Sequence, residues 1–269
     1  MEIKSNSFKS ALFLSIALVM LCLACNKSNP DAASEKLPVV EAYLMPGKTL
    51  TVTISQQKAL TDTATYGLPI TGLKVYVSDG TTSVLLTESK AGTYTYADQS
   101  FLVTGKTYSL KFNYLTYAVS AQTVVPAKPT NFVTQYDSVT FTAASGPSGI
   151  STIDRLSWSN PNSLNFVLAF DCLSGSGFPV SSFRENSNVS FEENTNAQSY
   201  YNITQNTVPF YGDYIVTLFS VNQEYINLLK SNTNNSTSQN LSNVATNIVN
   251  GFGIFTAVQA DSLTMNFNQ

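Results

Sequence analysis

The chain has 269 residues, 14 Lys and Arg against 17 Asp and Glu for a formal net charge of −3, and no histidine. The absence of histidine excludes Ser-His-Asp and Cys-His triads, His-ligated zinc and the usual general base near neutral pH, and weak acidity leaves no electrostatic footprint for nucleic acid. With 12% charged and 43% hydrophobic residues, the composition suits a β-rich extracytoplasmic protein, expected to be non-catalytic and to carry no cofactor or metal.

Residues 1–9 are polar and carry Lys4 and Lys9, and residues 11–24 (ALFLSIALVMLCLA) are an apolar run of 14. That is short of the ~20 residues a membrane-spanning helix needs and matches the core of a secretion signal. The run ends in Leu21-Cys22-Leu23-Ala24-Cys25 and turns polar at once with Asn26-Lys27-Ser28. A small residue before a cysteine at this border resembles a bacterial lipobox, with the departure that Leu21 stands one place early and Cys22 occupies the usual Leu position. The expectation is a lipoprotein signal peptide over residues 1–24, acylation of Cys25 by palmitate-type chains that hold the protein to a membrane, and a polar tether over residues 25–36. The plainer alternative is an ordinary signal cut near Ala24 that leaves Cys25 a free thiol. Cys172 has no unmodified partner, so the fold must hold by core packing without an internal disulfide.

From Leu37 the pattern has period two. Leu50, Val52 and Ile54 alternate with polar residues, as do Leu73, Val75 and Val77, and then Tyr108, Leu110, Phe112 and Tyr114. Pro46-Gly47, Asp79-Gly80, Ala91-Gly92 and Thr104-Gly105 punctuate these runs, and Asp79-Gly80 signals a hairpin. Gly47-Lys48-Thr49 and Gly105-Lys106-Thr107 fail as phosphate loops, because Ala42 and Ser100 stand where the first glycine is required. Residues 37–126 therefore predict a small β-sandwich of immunoglobulin/transthyretin-like form, closed by a proline-bearing linker at 127–130.

Residues 131–269 predict a second β-rich domain with one short helix. Its candidate strands are 132–142, 154–158, 166–172, 215–221, 253–258 and 263–267. The helix follows Ser220-Val221-Asn222-Gln223, which has capping-box spacing, and places Val221, Tyr225 and Leu228 on one face. Residues 231–240 (SNTNNSTSQN) read as a polar loop, and residues 181–198 as a polar excursion carrying Arg184, Glu185, Glu192 and Glu193.

Val39-Val40-Glu41-Ala42-Tyr43-Leu44 before Pro46-Gly47, Pro69-Ile70-Thr71-Gly72 through Asp79-Gly80, Gly92-Thr93-Tyr94, and Gly105-Lys106-Thr107-Tyr108 together resemble the Bacteroidota lipoproteins grouped as domain of unknown function 4249. Trp158-Ser159-Asn160-Pro161 before Asn165-Phe166 is similar to the family's Trp-x-Asp-Pro and Asn-Tyr-Tyr segment, with Asn160 replacing the acidic residue and Phe166 a tyrosine. Most specific is Asn247-Ile248-Val249-Asn250-Gly251-Phe252-Gly253-Ile254-Phe255. The resemblance implies an outer-membrane accessory, periplasmic or surface-exposed, often encoded beside a TonB-dependent transporter, with no catalytic residues to carry over. The expected role is a ligand-binding partner of such a nutrient transporter; the alternative is a structural or adhesion-type surface β-module. Asn250-Gly251 and Gly253 read as a chain turn rather than as ligand contacts.

The phylum's periplasmic O-glycosylation pattern, Asp then Ser or Thr then a small or aliphatic residue, marks Thr63, Ser138 and Ser262. Thr63 is the favoured acceptor, because it lies in a predicted loop and the other two in or directly against predicted strands. Tyr200, Tyr201, Phe210 and Tyr211 suit either a surface that stacks on a sugar or peptide, or the core. Glu185, Glu192 and Glu193 with Asp171 lack calcium-loop spacing and read as loop solvation. Trp158 reads as core, and Cys172 has no cationic neighbour to make it a nucleophile.

Overall fold

The computed structural model describes residues 36–58, 67–141, 152–175, 177–233 and 245–269. The lipobox with Cys25, Thr63 and most of the Ser/Asn stretch at 231–240 lie outside them. Among the described residues the chain is mainly β, in several sheets, with one α-helix.

In the N-terminal half, strands β1 (Pro38–Leu44), β2 (Leu50–Gln56), β5 (Thr87–Lys90) and β6 (Thr93–Tyr96) form one end of a nine-stranded sheet. Strands β3 (Tyr76–Ser78), β4 (Ser83–Leu85), β7 (Thr107–Tyr114) and β8 (Tyr117–Val124) form a separate four-stranded sheet. The expected alternation decides which side chains go inside. Leu50, Val52 and Ile54 from β2 and Tyr108, Leu110 and Phe112 from β7 meet in one core, because every second side chain of a strand points to the same face. The Asp79-Gly80 hairpin joins β3 to β4 in register Val77↔Val84, with Gly80 at φ 90°. The Asp79 carboxylate accepts from the backbone N–H groups of Thr81 and Thr82 and from Lys106 Nζ, which holds its carboxyl well below the usual carboxylate range.

A second core lies beyond Pro126. It is built by β12 (Phe166–Cys172), β15 (Gly212–Val221), β10 (Ser138–Thr140) and β16 (Phe252–Asn268) on one side, and by β9 (Val133–Thr134), β11 (Asp154–Ser157) and β14 (Tyr200–Ile203) on the other. The expected strand at 132–142 is broken into β9 and β10. The two expected strands at 253–258 and 263–267 are instead the single strand β16, since Asp261 and Ser262 sit opposite Leu218 and Thr217 without interrupting the ladder. Trp158 is core, edge-on to Phe132 at 6.3 Å.

β16 carries 17 residues and so extends roughly 56 Å. Its start pairs parallel with β1, Val40↔Gly253 and Ala42↔Phe255, and its remainder pairs antiparallel with β15. The Asn-Ile-Val-Asn-Gly-Phe-Gly phrase builds this junction. Asn247 Nδ2 donates to Phe255 O at 2.7 Å while its Oδ1 accepts from Phe255 N at 3.0 Å, and Asn250, at φ 57°, donates to Ala118 O. Gly253 sits at φ 91°, where a Cβ would stand 2.0 Å from Val40 O.

The helix α1 (Gln223–Thr233) covers the outer face of β12, β15 and β16 through Ile226, which packs with Val167, Val221 and Val258. The expected capping box does not form: Ser220 is buried in β15, and its hydroxyl has no hydrogen-bond partner among the described residues. Asn222 begins the helix instead, its carbonyl accepting from Tyr225 N. The Asn222 side chain reaches across to Val124 O at 2.7 Å and Thr123 Oγ1 at 3.0 Å. Buried Thr123 also accepts from Ala257 N and donates to Glu224 at 2.7 Å, and Thr256 donates to the same carboxylate oxygen. Thr123 bonds to Asn222, Glu224 and Ala257 across the boundary between the halves, so the network fixes how the helix, β8 and β16 meet. The helix also takes in residues 231–233 of the expected polar loop, where Ser231 Oγ donates to Leu228 O.

Gly253→Ala combines left-handed strain with a backbone clash, and its expected cost is about 3 kcal/mol or more in urea unfolding. Gly47→Ala, at φ 77° with open space around it, is expected to cost about 1 kcal/mol. Equal costs at the two positions would contradict the close approach of β16 to β1.

Candidate functional site

Two consecutive strands part company on one side of the second core. Among the described residues β13 (Ser190–Asn194) is the edge of the nine-stranded sheet and pairs only with β12, while β14 is the edge of the three-stranded sheet and pairs with β11. The turn between them carries Asn196 at φ 52° and Ala197 at φ 59°. Asn160 Nδ2 lies 3.0 Å from Leu164 O, 3.0 Å from Ala197 O and 3.2 Å from Gln198 O, and so holds this turn. A carboxylate at position 160 would have no proton to donate there, which gives the departure from the family phrase a structural use.

The parted strands leave a cleft of about 610 Å³. Its floor and walls are Phe191 and Glu193 from β13 with Tyr201 and Asn202 from β14. Its rim comes from the excursion at Arg184 to Asn188 and from the turn at Thr204 to Thr207. Phe191 stacks on Phe170 with centroids 4.9 Å apart, which fixes the inner wall. Arg184 Nη2 donates to Asn206 O at 3.0 Å and ties the two rim segments together. On the other side of β14, away from the cleft, Arg155 Nε donates to Asn202 Oδ1 at 2.9 Å.

Glu192 and Glu193 point to opposite faces of β13, as neighbours on a strand must. Glu192 accepts from Tyr225 Oη at 2.9 and 3.0 Å, and Tyr225 lies edge-on to Tyr43, so α1 braces the back of β13. Glu193 faces the cleft with neither a hydrogen bond nor an ion pair among the described residues, and burial pushes its pKa up. Burial, and then the charge of Glu193, push Tyr201 up as well.

The four aromatic candidates are not brought together. Tyr201 lines the cleft, whereas Tyr200 faces the other side of β14 with the Arg155 guanidinium 4.8 Å from its ring centroid. Phe210 is fully buried and belongs to the interior rather than to a binding surface. Tyr211 packs on Phe141 and lines a separate, smaller cavity with Phe178 and Phe267. Ser138 and Ser262 lie on β10 and β16, exposed; Ser138 Oγ accepts from Asn268 Nδ2. Glu185, Glu192, Glu193 and Asp171 do not gather, and no cluster of three metal-ligating Cys, Asp or Glu side chains occurs among the described residues. Cys172 is half-buried, its thiol donating to Gly175 O at 3.3 Å. The cleft residues missed in the sequence, Asn202, Asn206 and Thr207 above all, carry no motif. The signal available was the polar excursion at 181–198 followed closely by a second polar turn.

The family model described as domain of unknown function (DUF4249) matches residues 27–264. The chain belongs to the DUF4249 family. The match takes in the first core, the β16 junction, the whole cleft and the second core except Met265 and Phe267 of this DUF4249 chain. No curated protein matches the chain. No helix among its described residues is long and apolar enough to cross a membrane.

A carboxylate whose folded pKa lies above its unfolded value of 4.5 adds stability below that value and loses it as pH rises through the folded value. Glu193→Gln is therefore expected to raise the melting temperature, relative to the native chain, more at pH 7.5 than at pH 4. An equal difference at both pH values would contradict the desolvated setting of Glu193.

Proposed function

We propose that the protein is a non-catalytic, lipid-anchored outer-membrane lipoprotein of Bacteroidota that binds a ligand as an accessory of a TonB-dependent nutrient transporter. The cleft between β13 and β14 carries the binding part of this reading. It has the volume of a small-ligand site and a lining of hydrogen-bonding side chains around two aromatic rings. The location rests on Ala24-Cys25 at the apolar-to-polar border, and the transporter on the family resemblance. The two-sheet N-terminal half is taken as the immunoglobulin/transthyretin-like sandwich that carries the binding half.

An adhesion-type surface module is the second reading. It is favoured by Phe178 and Phe183, which are 76% and 96% exposed on the excursion between β12 and β13. Cys25→Ala is expected to release the chain from the membrane fraction, and continued membrane retention of that variant counts against the anchor. A mild-detergent pull-down of the native lipoprotein is expected to bring a large β-barrel transporter with it, and recovery of the lipoprotein alone favours the adhesion module.

A further inference from the structure

The ligand class follows from which groups line the cleft and which do not. Asn186, Asn188, Asn206, Thr204, Thr207 and Ser187 line it, against one guanidinium and one carboxylate. Side-chain amides and hydroxyls both donate and accept, so the lining suits a ligand whose own polar groups do both. A strongly charged ligand would have most of its charge facing neutral groups and would lose hydration without repayment.

The charged pair fits the same picture. The Glu193 carboxylate, half-buried and without a hydrogen bond among the described residues, is an acceptor awaiting protons from a ligand, and a pair of neighbouring hydroxyls supplies them. Arg184 gives one guanidinium N–H to Asn206 O and keeps others for hydroxyl oxygens. Phe191 and Tyr201 add apolar surface of the kind that packs against the C–H face of a pyranose ring.

An extended peptide added as a strand is the main competitor, and the register of β13 argues against its addition to that wall of the cleft. Cys172 N donates to Val189 O and Thr195 N to Phe166 O, so the backbone groups of Phe191 and Glu193 turn toward β12. The outward backbone groups belong to Ser190 and Glu192, and neither residue lines the cleft. An inward charge on an edge strand also discourages sheet-to-sheet association, but that role needs Glu193 alone and leaves the amide-rich rim and Arg184 without a use.

We propose that the cleft between β13 and β14 binds a neutral oligosaccharide of about two or three sugar units, held by Glu193, Arg184 and the surrounding amides against Phe191 and Tyr201. This rests on the ligand-binding role proposed above.

The test is calorimetric titration of the full-length lipoprotein in detergent with the trisaccharides of glucose (α- and β-linked), mannose, galactose, xylose and N-acetylglucosamine, with trialanine and trigalacturonic acid alongside. At least one neutral trisaccharide is expected to bind. Arg184→Ala and Glu193→Gln are each expected to weaken that binding about 10-fold or more, with the melting transition retained. Glu192→Gln, the same exchange on the opposite face of β13 outside the cleft, where the amide oxygen can still accept from Tyr225 Oη, is the control and is expected to bind as the native chain does. The proposal is overturned if no neutral trisaccharide binds at ~10 mM, if trialanine or trigalacturonic acid binds instead, or if sugar binding ignores the Arg184 and Glu193 variants. Trialanine binding that the cleft variants abolish would sink the carbohydrate assignment and leave the ligand-binding role standing. Failure of every probe together with an empty pull-down would remove both.

Discussion

The parallel pairing of β16 with β1 is the contact on which the rest of the structure depends. It brings residue 253 against residue 40 and lets one strand run from the first core into the second. The approach is possible because Gly253 has no side chain to place against Val40 O, and because Asn247 supplies the Phe255 backbone with both a donor and an acceptor. The Thr123, Asn222 and Glu224 network then closes the junction from the helix side. Parallel pairing between residues more than two hundred positions apart is slow to form and costs loop-closure entropy, so it needs side-chain hydrogen bonds and complementary packing to hold it.

The cleft is a consequence of the same arrangement seen from the far edge. β16 anchors β15, β15 anchors β12, and β12 carries β13, while β14 belongs to a sheet that does not reach β16. The two walls are therefore held by different sheets, and Asn160 fixes the turn where they part. Tyr225, braced on Tyr43 and bonded to Glu192, connects the rear of the cleft to the N-terminal half. A site held by sheet edges, with its rim on loops, combines a fixed floor with variable contacts, a common design for recognition surfaces.

Much of this was legible in the sequence wherever a local rule decides the outcome. Period two placed Leu50, Val52 and Ile54 inside, and the Asp79-Gly80 hairpin and the turn at Asn250 formed where turn chemistry put them. Local rules failed where tertiary pairing overrode them. Asp261-Ser262 looked like a break and is a continuous ladder, and Ser220 looked like a helix cap and is strand interior. The aromatic-rich stretch from Tyr200 to Tyr211 dispersed because alternation along β14 sends adjacent tyrosines to opposite faces, and because Phe210 turns inward. The cleft itself was hidden, since its asparagines and threonines gain meaning only when two sheets bring them face to face.

Native-state hydrogen exchange tests most directly the claim that one strand makes the two halves a single cooperative body. The account predicts that the most protected amides of β7 and β8 and those of β12 and β15 open together, with the same free energy and the same denaturant dependence. Exchange of one set at a distinctly lower free energy while the other stays closed would contradict it.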